Sequence, residues 1–185
     1  EHKLVVTDAD PDLRRVNEFN AEPAAMAYAN AIDMRPDELC SGSFASYSVI
    51  IRFGGEYYCR SIQQLNDDMS LTFFCAIDNG LVMTLARSEG MVASSRQAIE
   101  ELEQHVGTID LLFGFDCIYR KLDALHRQTT HRVGELYREK NFVGFNTYGE
   151  QFNSMHINQT FTGIAIGVPP EQTQAVEESQ TGSNR

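Results

Sequence analysis

Two short apolar runs around an amphipathic segment constrain this chain more than any other feature. Ile109–Phe115 is almost continuously apolar, and Phe142–Phe145 is a second such run. Between them, Ile118, Leu122, Leu125, Thr129, Val133 and Leu136 recur at helical spacing, opposite a charged face of Arg120, Lys121, Arg127, Arg132 and Glu135. The runs are short enough for strands, the first of them buried on both faces, and the segment Ile118–Lys140 predicts one long helix. A helical crossover favours parallel pairing of the two strands, so both end at the same edge of a sheet. There the first run empties into Asp116 and Cys117, and the second into Tyr148, Gly149 and Glu150. Rigid strands that open into polar loops at their carboxyl ends are common sites for ligands. The sequence therefore places Cys117, Tyr148 and Glu150 on one rim, with Asp116 beside them. Cys117 and Glu150 should lie within about 10 Å, and the loop Gln151–Gln159 should fold over them.

The rest of the chain supplies a sheet for this unit to pack on. Leu4–Thr7 and Arg15–Phe19 read as a hairpin around a turn at Asp8-Ala9-Asp10-Pro11. Pro23–Ile32 is alanine-rich, begins with a residue suited to a first helical turn, and predicts a helix. Met34–Ala45 reads as a loop. Tyr47–Phe53, Glu56–Ile62, Leu71–Ala76 and Leu81–Leu85 read as strands of an antiparallel meander, with Gly54-Gly55 as a two-residue hairpin signal. Met91–Val106 repeats apolar residues at helical spacing and meets a stop at Gly107. Thr160–Ile166 closes the fold before Pro169-Pro170. The expected class is α+β, an antiparallel-rich mixed sheet or pair of sheets flanked by about three helices. Residues 1–168 read as one domain and 169–185 as an acidic, disordered linker. The lack of an initiator Met and this tail read as a fragment of a longer protein.

Composition removes several function classes. The net charge of −11 argues against nucleic-acid and anionic-membrane surfaces, which need clustered Lys and Arg. No apolar run is long enough to span a bilayer. Cys40, Cys59, Cys75 and Cys117 are widely spaced, without a C-x-x-C pair, and read as reduced thiols of a cytoplasmic chain. The sequence has no G-x-S-x-G, H-E-x-x-H, P-loop or G-x-G-x-x-G, so no catalytic set follows from spacing and the chain does not read as an enzyme.

The candidate residues carry two readings each. Cys117 at a strand-to-helix junction is either a small packing residue or a thiolate favoured by the helix end, against the repulsion of Asp116. Asp116 is a helix cap or a ligand acceptor, and Arg120 stands one turn on. Gly149 suits a sharp turn or a close ligand approach. Glu150 is a strand-end carboxylate or an acceptor for a ligand amine. Arg60, flanked by apolar residues, is a solvent-facing strand residue or a clamp for a carboxylate. Asn158 and Thr160 shape the turn into the last strand or hydrogen-bond a ligand. His156 is a loop histidine or a ligand to metal or haem. His126 and His131, five residues apart, read as solvent-facing.

FDCIYR, VGFNTYGE and NQTFTGIAIG, with VNEFNAEPAAMAYANAI near the start, together resemble the C-terminal domain of the FIST sensory family, over Leu4 to Gly167. The resemblance implies an intracellular module that binds a small molecule such as an amino acid. It implies an N-terminal FIST domain and an output domain as partners, the outputs including kinase, chemotaxis and cyclic-dinucleotide domains. Arg60 would then meet the ligand carboxylate and Asp116 or Glu150 its amine, with Cys117, Arg120, Tyr148, Asn158 and Thr160 completing the site and no cofactor required. Three alternatives stand beside this. One is a haem-based nitric-oxide sensor with His156 as the axial ligand, one a protein-interaction scaffold, and one thiol chemistry at Cys117.

Overall fold

The computed structural model describes residues 2–87, 90–152 and 155–168, so the predicted linker 169–185 lies outside the described residues. The chain opens with a hairpin of β1 (Lys3–Asp10) and β2 (Arg15–Phe19), and a short β3 (Glu22–Pro23) folds back on β2. Pro23 caps α1 (Ala24–Ala31), whose Ala24, Ala25, Ala27, Tyr28 and Ala29 are all buried. The small side chains let α1 lie close on the sheet, and the Tyr28 hydroxyl donates to the Tyr47 carbonyl at 2.6 Å. The expected loop after it holds a 3-10 turn at Pro36–Glu38 and a short α2 (Ser41–Ser46).

β4 (Tyr47–Phe53) and β5 (Glu56–Arg60) form the hairpin that Gly54-Gly55 predicts, with φ of 61° and 93° at the two glycines. β6 (Ile62–Leu65) pairs with β7 (Leu71–Phe73), and β8 (Val82–Arg87) follows. The strand order is β5-β4-β8-β1-β2-β7-β6, all pairs antiparallel, with β3 beside β2. This is not the simple meander expected, because β8 inserts between β4 and β1. β5 and β6 stand at opposite ends of that order, yet only Ser61 separates them in sequence. The sheet therefore curls until its two ends meet, around a core that includes Val6, Val16, Phe19, Tyr28, Leu71, Phe73 and Met83.

A second, smaller layer follows. α3 (Met91–Val106) leads into β9 (Thr108–Cys117), then α4 (Ile118–His126), α5 (Thr130–Glu139) and β10 (Phe142–Thr147). β10 runs parallel to β9 in the predicted way, with Phe142 opposite Leu112 and Thr147 opposite Cys117. The crossover is two helices rather than one. Gln128 takes a φ of 58° between them, and Leu125, expected on the buried stripe, is 52% exposed. α4 instead buries Tyr119, Asp123 and Ala124. β11 (Glu150–Phe152) and β12 (Met155–Ile157) make a small hairpin, and β13 (Phe161–Val168) lies antiparallel on the other side of β9.

α3 and α5 pack on one face of this three-stranded sheet, over Ile99, Ile109, Leu112 and Leu136. On that face Gly144, Gly114 and Gly163 stand in one cross-strand row, beneath the rings of Phe142 and Phe161. The opposite face is open, and Val143, Phe145, Ile164 and Ile166 are all more than half exposed. Burial of β9 on both faces is thus not observed, because helices cover only one side. The five α-helices among the described residues exceed the three expected, through α2 and the split crossover.

Candidate functional site

The carboxyl ends of β9 and β10 form a buried polar rim. Cys117 ends β9, and its amide donates to the Thr160 carbonyl at 3.0 Å. Thr147 lies opposite Cys117 in the strand register. The Glu150 carboxylate, 4% exposed, accepts from the hydroxyls of Thr147 and Thr160, the latter at 2.6 Å. Cys117 and Glu150 therefore share one rim, and the hairpin β11–β12 stands where a covering loop was expected. Burial pushes the Cys117 thiol up, against the lowering effect of backbone N–H groups at Tyr119 and Gln159, while Glu150 and Asp116 raise it further. The helix end does not make this cysteine a thiolate.

Behind Cys117, Asp116 belongs to a closed charge network. It accepts from Arg120 Nε and from the Tyr137 hydroxyl at 2.7 Å, while Arg120 Nη2 donates to Ser95 Oγ at 2.8 Å. This ties β9, α3, α4 and α5 together at one point. Burial, then the Asp116 charge, pushes the Tyr137 phenol up, so it stays a donor to the carboxylate. The Arg120 guanidinium carbon stands 5.9 Å from the Phe161 ring centroid, in cation–π range.

On the other side, Arg60 is buried rather than solvent-facing. Its Nη1 donates to the carbonyls of Cys59 and His156, each at 3.1 Å, and so fastens the curled sheet to β12. Asn158, 1% exposed, donates to the Tyr148 carbonyl at 3.3 Å, and its Oδ1 finds no donor among the described residues. Tyr148 itself is 75% exposed. A Cβ at Gly149 would lie 2.5 Å from His156 Cε1 and 2.7 Å from Nε2, so only glycine lets the turn rest on the imidazole. His156 Nε2 also lies 3.3 Å from Asn158 Nδ2. That edge of the ring is filled by protein, so Nε2 has no room for an iron-bound haem. Among the described residues no group of three or more His, Cys, Asp or Glu side chains could hold a metal ion.

Two cavities adjoin the network at Arg120. One, of about 260 Å³, lies between the curled sheet and the start of α3 and is lined by Ser48, Cys59, Ser94, Arg120, Asp123 and Gln159, among others. The other, of about 210 Å³, is bounded by Ser95, Ile99, Arg120, Tyr137, Thr160 and Phe161. Arg120 and Thr160 are thus the predicted residues that reach cavities, while Arg60, Asp116, Cys117, Glu150 and Asn158 are buried around them. Sequence reasoning missed Asp123, which accepts from Ser46 Oγ at 3.0 Å and Arg127 Nε at 2.8 Å. Its spacing of i+3 from Arg120 was the available signal, since that places both on one helix face. Ser95 and Tyr137 gave no such signal.

These features define a class: an α+β domain whose strand ends and crossover helix enclose small cavities beside a fixed guanidinium. Residues 24–153 match the family model described as the FIST C domain, and the chain belongs to that family of signal-transduction sensory domains. The match contains FDCIYR and VGFNTYGE, and it ends before NQTFTGIAIG. No curated protein and no solved structure matches the chain.

Proposed function

We propose that this domain senses a small zwitterion, an amino acid, in the cavity of about 260 Å³, and passes its occupancy to an output domain without chemical turnover. The observation that carries this reading is that Arg120 and Asp123 line the same cavity, one turn apart on α4. A guanidinium and a carboxylate at that spacing present opposite charges to opposite ends of a zwitterion. The cavity also meets the start of α3 at Gly90, Met91 and Ser94, where the helix dipole favours a carboxylate. Arg60 is less suited than Arg120 to that role, because it does not line this cavity.

Signal transfer follows from what Arg120 holds. It joins Asp116, Ser95 and, through Asp116, Tyr137, so a ligand that draws on the guanidinium shifts three helices relative to β9. The compartment that suits the reading is the cytoplasm, where the thiols stay reduced, and no described helix is long and apolar enough to cross a membrane. The test is titration calorimetry with each of the common amino acids at up to millimolar concentration. At least one should bind, and Ala86→Trp, which fills the cavity wall, should abolish that binding. No binding by any of them, or binding that survives Ala86→Trp, sinks the reading.

A further inference from the structure

The open face of the three-stranded sheet plays no part in the ligand cavity at Arg120. Its side chains stand in two cross-strand rows, Val143–Phe113–Ile164 and Phe145–Phe115–Thr162, and neither row holds a charge. Phe113, Phe115 and Phe145 form a ladder of edge-to-face rings with centroids 5.3 Å apart. Exposures are 57% at Val143, 58% at Phe145, 63% at Ile164, 54% at Ile166 and 56% at Phe152. With side chains of this size the patch amounts to roughly 700 Å², close to the roughly 800 Å² that each partner contributes to a standard protein interface. Apolar patches of that extent on a soluble domain mark interaction surfaces.

We propose that a second copy of this chain covers the face, sheet against sheet, about a two-fold axis parallel to the strands. Three observations select that occupant. The area is what a stable dimer needs from each partner. The chain carries a net charge of −11, so two copies repel over most approaches, and a face without charges is where they can meet. The third is self-complementary relief. Rotation about an axis along the strands places β10 of one copy over β13 of the other, with rows kept level. Phe145, exposed on β10, shares its row with Thr162 on β13. Beside Thr162 lies a cavity of about 500 Å³ lined by Phe115, Phe152, Thr162 and Ile164. Phe145 of each copy thus faces the cavity of the other, which is the reciprocal contact an isologous interface requires. Facing sheets pack about 10 Å apart, a gap that side chains of this size fill.

The test is sedimentation of the 185-residue chain across the micromolar range, with variants Phe145→Glu and Ile164→Glu, and with Phe53→Glu as a control at an exposed site on the curled sheet. The chain should dimerise. Each face variant should weaken dimerisation at least about 30-fold, as expected at the centre of an interface, and Phe53→Glu should not. Circular dichroism should stay unchanged, since the substituted side chains are exposed. The chain has no Trp, so Phe145→Trp gives a single reporter whose emission should shift to the blue as the protein is concentrated. A chain that stays monomeric, a dimer that survives both face variants, or an indole emission of the Phe145→Trp variant that does not change with concentration overturns the proposal. Ligand binding measured on the monomeric Phe145→Glu variant keeps this result separate from the sensing reading.

Discussion

At the scale of single residues, the same element can sit in opposite environments. Cys117 is a candidate nucleophile by sequence because it starts a helix, but that helix end is inside the molecule. Cys40 also precedes a helix, yet it is exposed, and the backbone N–H of Ser43 lowers its thiol. Burial pushes Cys59 up to about 11 and raises Cys75 and Cys117. Since the thiolate is the reacting form and must also be reached, exposure adds to the ordering: Cys40 is exposed, Cys59 and Cys75 are partly exposed, and Cys117 is 2% exposed. A maleimide added near neutral pH should modify Cys40 first, and its rate should rise with pH at lower values than that of any other thiol. Cys117 should react last, and only on unfolding or local opening. Peptide mapping that finds Cys117 labelled as early as Cys40 would contradict this and revive thiol chemistry at the rim. At the same rim the Glu150 carboxylate is satisfied by the hydroxyls of Thr147 and Thr160.

At the scale of elements, the three-stranded sheet depends on the glycine row beneath its helices. A Cβ on Gly114 would lie 2.6 Å from a Phe142 ring carbon and 2.8 Å from the Phe161 ring, and both rings pack against Tyr137. Gly114→Ala should cost about 1–3 kcal/mol, the usual range for overpacking a filled core, and lower the melting temperature accordingly. Ala at Gly134, where a Cβ meets nothing within 4 Å on α5, should stabilise the fold by up to about 1 kcal/mol. Equal effects at the two sites would show that the rings yield and that the row is incidental. Much of this layer is readable in the sequence. Apolar runs and a helical repeat point to β9, the crossover and β10 in parallel, and in the curled sheet Gly54-Gly55 marks the β4–β5 hairpin. The break at Gln128 is not readable, since a single residue of positive φ leaves no pattern in an otherwise periodic segment. Nor is the open face, because an apolar run reports low polarity on both sides of a strand, and only packing decides which side a helix covers. Arg60 and Asp123 mislead for the converse reason: charge predicts exposure, and partners distant in sequence reverse it.

At the scale of the whole molecule, two layers of unequal cohesion share one rim. The curled sheet surrounds a large core with Val16, Phe19, Tyr28, Leu71, Phe73 and Met83 at zero exposure. The second layer buries Ile99, Ile109, Leu112 and Leu136, and leaves its other face open. Cys117 and Tyr119 belong to the core of the curled sheet, with Ile118 and Leu122 packed against it. Tyr119 donates to the Ile62 carbonyl and Ser46 to Asp123, so α4 is fastened to that sheet by apolar and polar contacts together, while Arg60 donates to the His156 carbonyl. Such bonds contribute about 1 kcal/mol each, and the part of the smaller layer away from α4 rests on the small cluster of Ile99, Ile109, Leu112 and Leu136. It should therefore open before the curled sheet does, as a cooperative unit of its own. In hydrogen exchange followed by mass spectrometry, amides of Thr130–Glu139 and Phe142–Thr147 should exchange at least about tenfold faster than those of Leu4–Val6 and Val16–Phe19, a gap of about 1.4 kcal/mol in opening free energy. The measurement belongs on the Phe145→Glu variant as well as on the unaltered chain, since sheet-to-sheet dimerisation would slow β10 in the latter. A bound amino acid should narrow the gap, because it would join Arg120 of the smaller layer to the wall that the curled sheet provides at Ser48 and Cys59. Uniform slow exchange through both layers of the monomeric variant would show a single cooperative unit, and coupling through Arg120 would then have no weaker layer to act on.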